Sequence, residues 1–191
     1  MTVHLILASA SPRRKELLEQ IGVHYVTYPI DLDESPKLNE APAAYVQRLA
    51  AEKSAACALQ IGTALPILAA DTAVVCAGQI MGKPKHQQDA LSMLRQLSGR
   101  THQVYTALSL RGSSHEQALS VTEVTFRSLS DAEILTYWQT GEPLDKAGSY
   151  AIQGLGAVFV ASIQGSFSGV VGLPLFETAE LLSKQGIAFL S

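Results

Sequence analysis

Val3-His4-Leu5-Ile6-Leu7-Ala8-Ser9-Ala10-Ser11-Pro12-Arg13-Arg14-Lys15-Glu16-Leu17-Leu18 changes its pattern halfway along. Val3 to Ala8 is a short apolar run with β-branched members, the signature of a buried strand. Ser9-Ala10-Ser11 breaks it at once. Ser11 at the N-cap and Pro12 at the first helical position then open a helix whose Leu17, Leu18 and Ile21 share one face and which Gly22 stops. A strand that passes through a serine-rich turn into a helix is the first half of a strand–helix–strand unit, so this stretch selects an α/β fold.

Working outward, Tyr28 to Asn39 carries Pro29, Pro36, Asp31, Asp33 and Glu34 and reads as loop, and a second helix is expected from about Ala41 to Leu59. Ile67 to Cys76 is a continuous apolar segment interrupted only by Asp71-Thr72, followed by a turn at Ala77-Gly78-Gln79 and a short strand at Ile80-Met81. Gln87 to Leu97 has helical spacing. Thr101 to Leu110 and Ala118 to Phe126 flank the turn Gly112-Ser113-Ser114 and predict an antiparallel hairpin. Ser130-Asp131-Ala132-Glu133 is a capping box that starts a helix through Trp138. Tyr150 to Ile152 and Ala157 to Ile163 are expected as strands, and Pro174 at the first position opens a last helix that stops at Gly186. Alternation in the first half and a hairpin in the middle predict a mixed sheet flanked by helices.

The 191 residues suit one domain over 1–191, and 47% hydrophobic against 16% charged residues exclude disorder and coiled coil. A net charge of -3 leaves no electrostatic footprint for nucleic acid or an anionic membrane surface, so an anionic ligand has to be held by a local cluster. The uncharged run Ser54 to Ala70 is broken by Gln60, Gly62, Thr63 and Pro66 and predicts no bilayer span. Met1-Thr2-Val3-His4 lacks the basic and apolar regions of a secretory signal, and Cys57 and Cys76 are too few for a disulfide framework, so a reduced, cytoplasmic protein is expected.

Ser9, Ser11, Arg13 and Arg14 form the sharpest chemical cluster. A helix N-terminus offers unpaired N–H groups and a partial positive charge, serine hydroxyls add donors, and a guanidinium matches phosphate oxygens. The alternative is Ser11 as an ordinary cap with both arginines solvated. Asp71 is costly to bury inside an apolar strand without a partner or a metal, unless it ties down backbone N–H groups at a bend. Lys53 lies on the stripe Val46, Leu49, Lys53, Cys57; it either reaches a buried anion or, the commoner outcome, snorkels to solvent. Gly78 to Pro84 has one residue too few between its glycines for a Walker A loop and Pro84 where Ser or Thr must hold magnesium, which leaves Lys83 as a phosphate contact or a plain turn lysine. Glu34 is an oxygen donor for a hard cation or a solvated loop carboxylate. Gly154-Leu155-Gly156 lacks the rest of a dinucleotide fingerprint, and His102, without a nucleophile at a recognisable spacing, reads as structural.

Eight segments, namely Leu7–Arg14, Arg48–Lys53, Ala70–Thr72, Gly82–Pro84, Leu97–Val104, Glu142–Gly148, Ile152–Gly154 and Val171–Pro174, follow one another as in the Maf family of nucleoside triphosphate pyrophosphatases, which the chain resembles nearly end to end. The resemblance implies an elongated mixed α/β fold with a nucleotide cleft, shared in outline with the inosine triphosphate pyrophosphatase group, often dimeric and dependent on magnesium or manganese. It implies phosphate binding by Ser9, Arg13, Arg14, Lys53 and Lys83, a metal held by Glu34 and Asp71, and Asp71 as general base. Arg13, Thr72 and Gln153 resemble the signature of the subgroup acting on dTTP and UTP rather than the 7-methyl-GTP subgroup. The rival expectation is a nucleotide-binding regulator of cell division that does not turn substrate over.

Overall fold

The computed structural model describes residues 3–190. Strand β1 (Leu5–Leu7) leads into α1 (Pro12–Gln20), followed by β2 (Tyr25–Thr27), α2 (Pro42–Ile61), β3 (Ile67–Cys76), β4 (Gln79–Met81) and α3 (Gln87–Leu97). The long hairpin β5 (Thr101–Arg111) and β6 (His115–Phe126) comes next, then α4 (Asp131–Gln139), β7 (Val160–Gln164), α5 (Phe167–Val171) and α6 (Leu175–Lys184). The strands form one sheet in the order β2-β1-β3-β5-β6-β7, with β4 paired to β3. Only β1 makes parallel pairs, with β2 and β3; every other pair is antiparallel. The expected mixed sheet flanked by helices is therefore the observed one.

Strand alternation assigns the faces. Ile67, Ala69 and Ala73 of β3 pack with Cys57, Val46 and Ala50 of α2. Leu68 and Ala70 turn the other way, against Leu17 and Leu18 of α1 and Leu181 and Leu182 of α6. On that same face Val74 and Cys76 meet Leu91, Leu94 and Leu97 of α3 and Ile134 and Tyr137 of α4. By this parity Asp71 faces α2 and Thr72 faces α1 and α5. β5 lines one edge of β3 from Ile67 to Val75. The opposite edge is covered by β1 at Ile67 and Leu68 and by β4 at Val74 to Cys76 only, so residues 69–73 have no strand beside them there. The sheet opens at that break, and Asp71 and Thr72 lie in it.

Several boundaries differ from the sequence reading. Tyr150–Ile152 is not a strand: Gly148 and Ser149 take left-handed backbone angles (φ 69° and 63°), and the segment leaves this bend as buried coil. Its apolar character comes from packing against Val74, Val104 and Phe126 rather than from a ladder. Ala157–Ile163 is a strand only from Val160, because Leu155–Phe159 forms a 3-10 turn. β6 begins at His115 rather than Ala118, since its polar first residues take their pairing from β5. Pro174 stands at the N-cap of α6, one place before the expected position. The three-residue β2 and five-residue α5 carry too little periodicity to be read from the sequence. The capping box at Ser130 and Glu133 and the span of α3 are as expected.

Candidate active site

A cleft of about 880 Å3 opens at the break in the sheet, and Ser9, Ser11, Arg13, Arg14, Glu34, Lys53, Asp71, Thr72, Lys83 and Gln153 all line it. The structure thus brings together every candidate residue of the sequence reading from elements spread over most of the chain. The volume lies within the range of small-molecule sites.

The turn between β1 and α1 is organised by Ser9 rather than by Ser11. Ser11 occupies the N-cap with extended backbone, but its hydroxyl makes no cap hydrogen bond. The Ser9 hydroxyl, 7% exposed, accepts from the Ser11 N–H (3.2 Å) and from Arg14 (3.2 Å). Arg14 also donates through Nε to the Gly172 carbonyl (2.8 Å) and through its other terminal nitrogen to Thr72 Oγ1 (3.3 Å). The solvated alternative for Arg14 is therefore excluded, and three of its five donors are already spent on the protein. Burial pulls the Arg14 guanidinium down from the usual arginine range while Asp71 opposes it. Arg13 is also pulled down by burial, against Glu16 and Asp145.

Lys53 does not snorkel. Its side chain is 9% exposed and its ammonium lies 2.6 Å from Asp71 Oδ1 and 2.5 Å from Glu34 Oε1. The missing premise was a partner: Asp71 faces α2 by strand parity, and Lys53 lies on the buried stripe of that helix. Burial pushes the Asp71 carboxyl above its ordinary range, against the pull of Lys53 and Arg14. For Glu34, burial acts upward too, but the hydrogen bond and charge of Lys53, with Lys83 and Arg14, outweigh it and the carboxyl is net lowered. The two carboxylates converge on one cation from the strand and from the loop. Their hard oxygens suit magnesium or manganese, which are commonly held by one or two carboxylates plus phosphate oxygens. No set of three His, Cys, Asp or Glu side chains among the described residues makes a cage of its own, so the remaining ligands would come from a bound phosphate or water.

Thr72 stands in a relay whose direction is fixed. Thr106 Oγ1 donates its one proton to the Gly169 carbonyl (2.8 Å), so at 2.9 Å it accepts from Thr72, which in turn accepts from Arg14. The Thr72 proton is thus committed within the protein, and this hydroxyl offers a ligand only a lone pair. Gln153 is exposed, and its amide has no hydrogen-bond partner among the described residues.

Among the cleft residues that escaped the sequence reading as site residues are Lys146, Glu142 and Tyr150. Lys146, beside Arg13 and Lys83, is held below the usual lysine range first by burial and then by the Arg13 charge, which marks a concentration of cations at that wall. Glu142 and Tyr150 also line the cleft. Tyr150 is bonded to His102 Nε2 (2.8 Å), so the histidine is structural, as expected. Burial holds the His102 imidazole down to about 4, so it is neutral at neutral pH. All three cleft residues become visible only through tertiary proximity, although the run Glu142–Gly148 carries the acid and the lysine as a motif.

Arg13, Lys83 and Lys146 and the buried carboxylate of Asp71 line one cleft at the break in a mixed sheet, cations of the kind a polyanionic small molecule would need, and the pattern of the Maf-like protein family matches residues 4–185. The chain belongs to that family. Among its curated relatives is the dTTP/UTP pyrophosphatase of Methylococcus capsulatus, 54% identical over 96% of this chain and 91% of its own length. Those of Saccharophagus degradans and Escherichia coli, which carry the same name, are each 52% identical, covering 93% and 94% of this chain and 87% and 91% of their own lengths. Among solved structures, a HAM1 protein from Coxiella burnetii aligns with a TM-score of 0.47 at 17% identity over 65% of this chain and 73% of its own. A nucleoside-triphosphatase / dITP/XTP pyrophosphatase from Mycobacterium abscessus aligns with 0.45 at 15% identity, over 94% and 93%. No helix among the described residues is long and apolar enough to cross a membrane.

Proposed function

We propose that this chain hydrolyses dTTP and UTP between the α and β phosphates, releasing the nucleoside monophosphate and pyrophosphate. The observation that carries the reading is the buried Asp71–Lys53 pair, joined by Glu34 at its solvent side, in one cleft with Ser9, Arg13 and Lys83. Curated relatives more than half identical over nearly the whole chain are dTTP/UTP pyrophosphatases, which supports the same substrates.

Ser9, Arg13, Lys83 and Lys146 bind the triphosphate, and their charges act most strongly where negative charge grows in the transition state. Arg14 positions: it fixes Ser9, Thr72 and the Gly172 carbonyl relative to one another. With Oδ1 engaged by Lys53, Asp71 uses its second oxygen to orient and deprotonate a water. The water oxygen bonds to a phosphorus of the α–β anhydride, the bridging P–O bond breaks toward pyrophosphate, and the proton passes to Asp71 and then to solvent. A carboxyl raised by burial is the better base near neutral pH. Glu34 and Asp71 are the residues that would hold magnesium or manganese, which when bound supplies charge neutralisation at the phosphates. Gln153 reads the base: with its NH2 toward O4 and its carbonyl toward N3–H the carboxamide matches uracil and thymine, whereas cytosine presents the inverse pair, an N4–H donor and an N3 acceptor, and requires the amide to turn over. Phosphate-resolved product analysis with dTTP and UTP tests the reaction. Pyrophosphate is expected, and orthophosphate as first product, or no turnover with magnesium or manganese, would overturn it.

A further inference from the structure

The turn that carries Gln153 is fastened on its far side to a carboxylate that the proposed chemistry does not use, and on its near side to a phenol bonded to that carboxylate. Glu142, just beyond α4, accepts the Leu155 N–H on Oε2 (2.8 Å) and the Gly156 N–H on Oε1 (2.9 Å). Oε1 also accepts the Tyr137 hydroxyl proton (2.7 Å), and the same phenol oxygen accepts the Ala151 N–H (3.1 Å). Residues 151, 155 and 156 are thereby tied to α4, and Gln153 projects from the middle of the tied span. Tyr137 is itself anchored, edge-on to Phe159 with ring centroids 4.9 Å apart.

The two glycines of Gly154-Leu155-Gly156 have their reason here. A Cβ on Gly154 would run into the Glu142 carboxylate, and one on Gly156 would come within 2.7 Å of the Tyr137 hydroxyl and 2.8 Å of the Ala151 carbonyl. The motif that looked like a fragment of a nucleotide fingerprint is the imprint of this clasp. Its hydrogen bonds and those of Tyr137 hold Glu142 ionised, against the upward push of burial. Charge-assisted bonds to backbone N–H groups are roughly twice as strong as neutral ones, so the carboxylate is a stiff anchor on the C-terminal side of Gln153, where the turn is not held by the core packing that fixes Ile152.

We propose that Glu142, through Tyr137, is a positioning residue for base selection: it fixes the backbone turn from which Gln153 reaches the base and so supports the preference for uracil and thymine over cytosine. This rests on the reading of Gln153 as the base-contacting residue. Preorganisation matters because a turn that must find its pose on binding costs ordering free energy and places its side chain less sharply against the base.

The test is a double-mutant cycle on the ratio of kcat/KM for UTP over CTP. Glu142→Gln preserves shape but turns an amide donor toward N–H or O–H donors that need an acceptor; Tyr137→Phe removes the phenol link and keeps the ring. Gln153→Ala is expected to lower the ratio about ten-fold. Each clasp variant is expected to lower it by roughly three-fold or more, chiefly through KM for UTP, and to add nothing in the Gln153→Ala background. Additive losses in the double variant, or equal losses for UTP and CTP, would make Glu142 a merely structural residue and overturn the proposal. If Gln153→Ala lowers the ratio and neither clasp variant does, the clasp alone fails. If Gln153→Ala keeps the full ratio, the base-reading assignment fails and the clasp's role goes with it. Slower exchange of the Leu155 and Gly156 amides in the parent protein than in Glu142→Gln is expected as independent support; equal exchange counts against the clasp.

Discussion

Lys53→Met removes the cation ion-paired with both Asp71 and Glu34 while keeping a buried aliphatic stem. The two ion pairs are unequal. Lys53 and Asp71 have side chains 9% and 8% exposed, so both charges are desolvated and each depends on the other. Glu34 is 44% exposed and water replaces much of what Lys53 provides, which leaves that pair worth about 1 kcal/mol or less. Stranding a buried charge costs about 3 to 5 kcal/mol, so most of the loss in Lys53→Met comes from Asp71. Adding Asp71→Asn to Lys53→Met removes the stranded charge and should recover about 2 kcal/mol or more, a strong non-additivity. The variant should also acquire a pH signature. Without Lys53 the Asp71 carboxyl rises further above its unfolded value of 3.8. A group whose folded pKa is raised contributes stability that is present below the unfolded pKa and lost as pH climbs through the folded pKa. The deficit of Lys53→Met should therefore be largest near neutrality and shrink on acidification. Urea titrations of the four proteins of the cycle at pH 7 and at about pH 5 measure both effects. Additive single losses, or a deficit that does not change with pH, would refute the buried-pair account.

Asp71→Asn should lower kcat by about 100-fold or more while nucleotide binding, followed by calorimetry, survives. Chelation with EDTA should abolish turnover, and magnesium or manganese should restore it without refolding; activity indifferent to chelator would remove Glu34 and Asp71 from any metal role. His102, held neutral at about 4 against 6.5 in the unfolded chain, contributes stability that is present above 6.5 and lost as pH falls toward 4. His102→Gln should therefore lose about 2 kcal/mol less stability than the parent protein between pH 7 and 4.5, and equal acid sensitivity would contradict neutral burial. Gly156→Ala should cost about 1 to 3 kcal/mol and raise KM for UTP, because the new methyl meets both the Tyr137 hydroxyl and a backbone carbonyl; an unchanged melting temperature would show that the turn shifts freely.

Much of this protein is legible in its sequence because the deciding interactions are local. Ser11-Pro12 and the leucines of α1 mark a helix start whatever surrounds them, Ser130 and Glu133 satisfy each other's N-cap groups within one turn, and Leu91, Leu94 and Leu97 of α3 share a face through helical geometry alone. The chemistry of Ser9, Arg13 and Asp71 is legible for a related reason: phosphate affinity at a helix N-terminus and the cost of a carboxylate in an apolar strand are properties of short segments. What the sequence could not decide were pairings across the fold. Lys53 is 18 residues from Asp71, Arg14 is 158 residues from Gly172 and Glu142 is 14 from Gly156, and nothing in the local pattern states that they meet. Only the assembled sheet, with α2 on one face, α1 and α5 on the other and a break beside residues 69–73, turns a lysine expected at the surface into a buried counter-ion. The same assembly commits the Thr72 proton to Thr106 and leaves no room for a side chain at Gly154 or Gly156 without displacing Glu142 or Tyr137. Burial and partnership are properties of where other parts of the chain come to rest, and so only the tertiary structure could assign them.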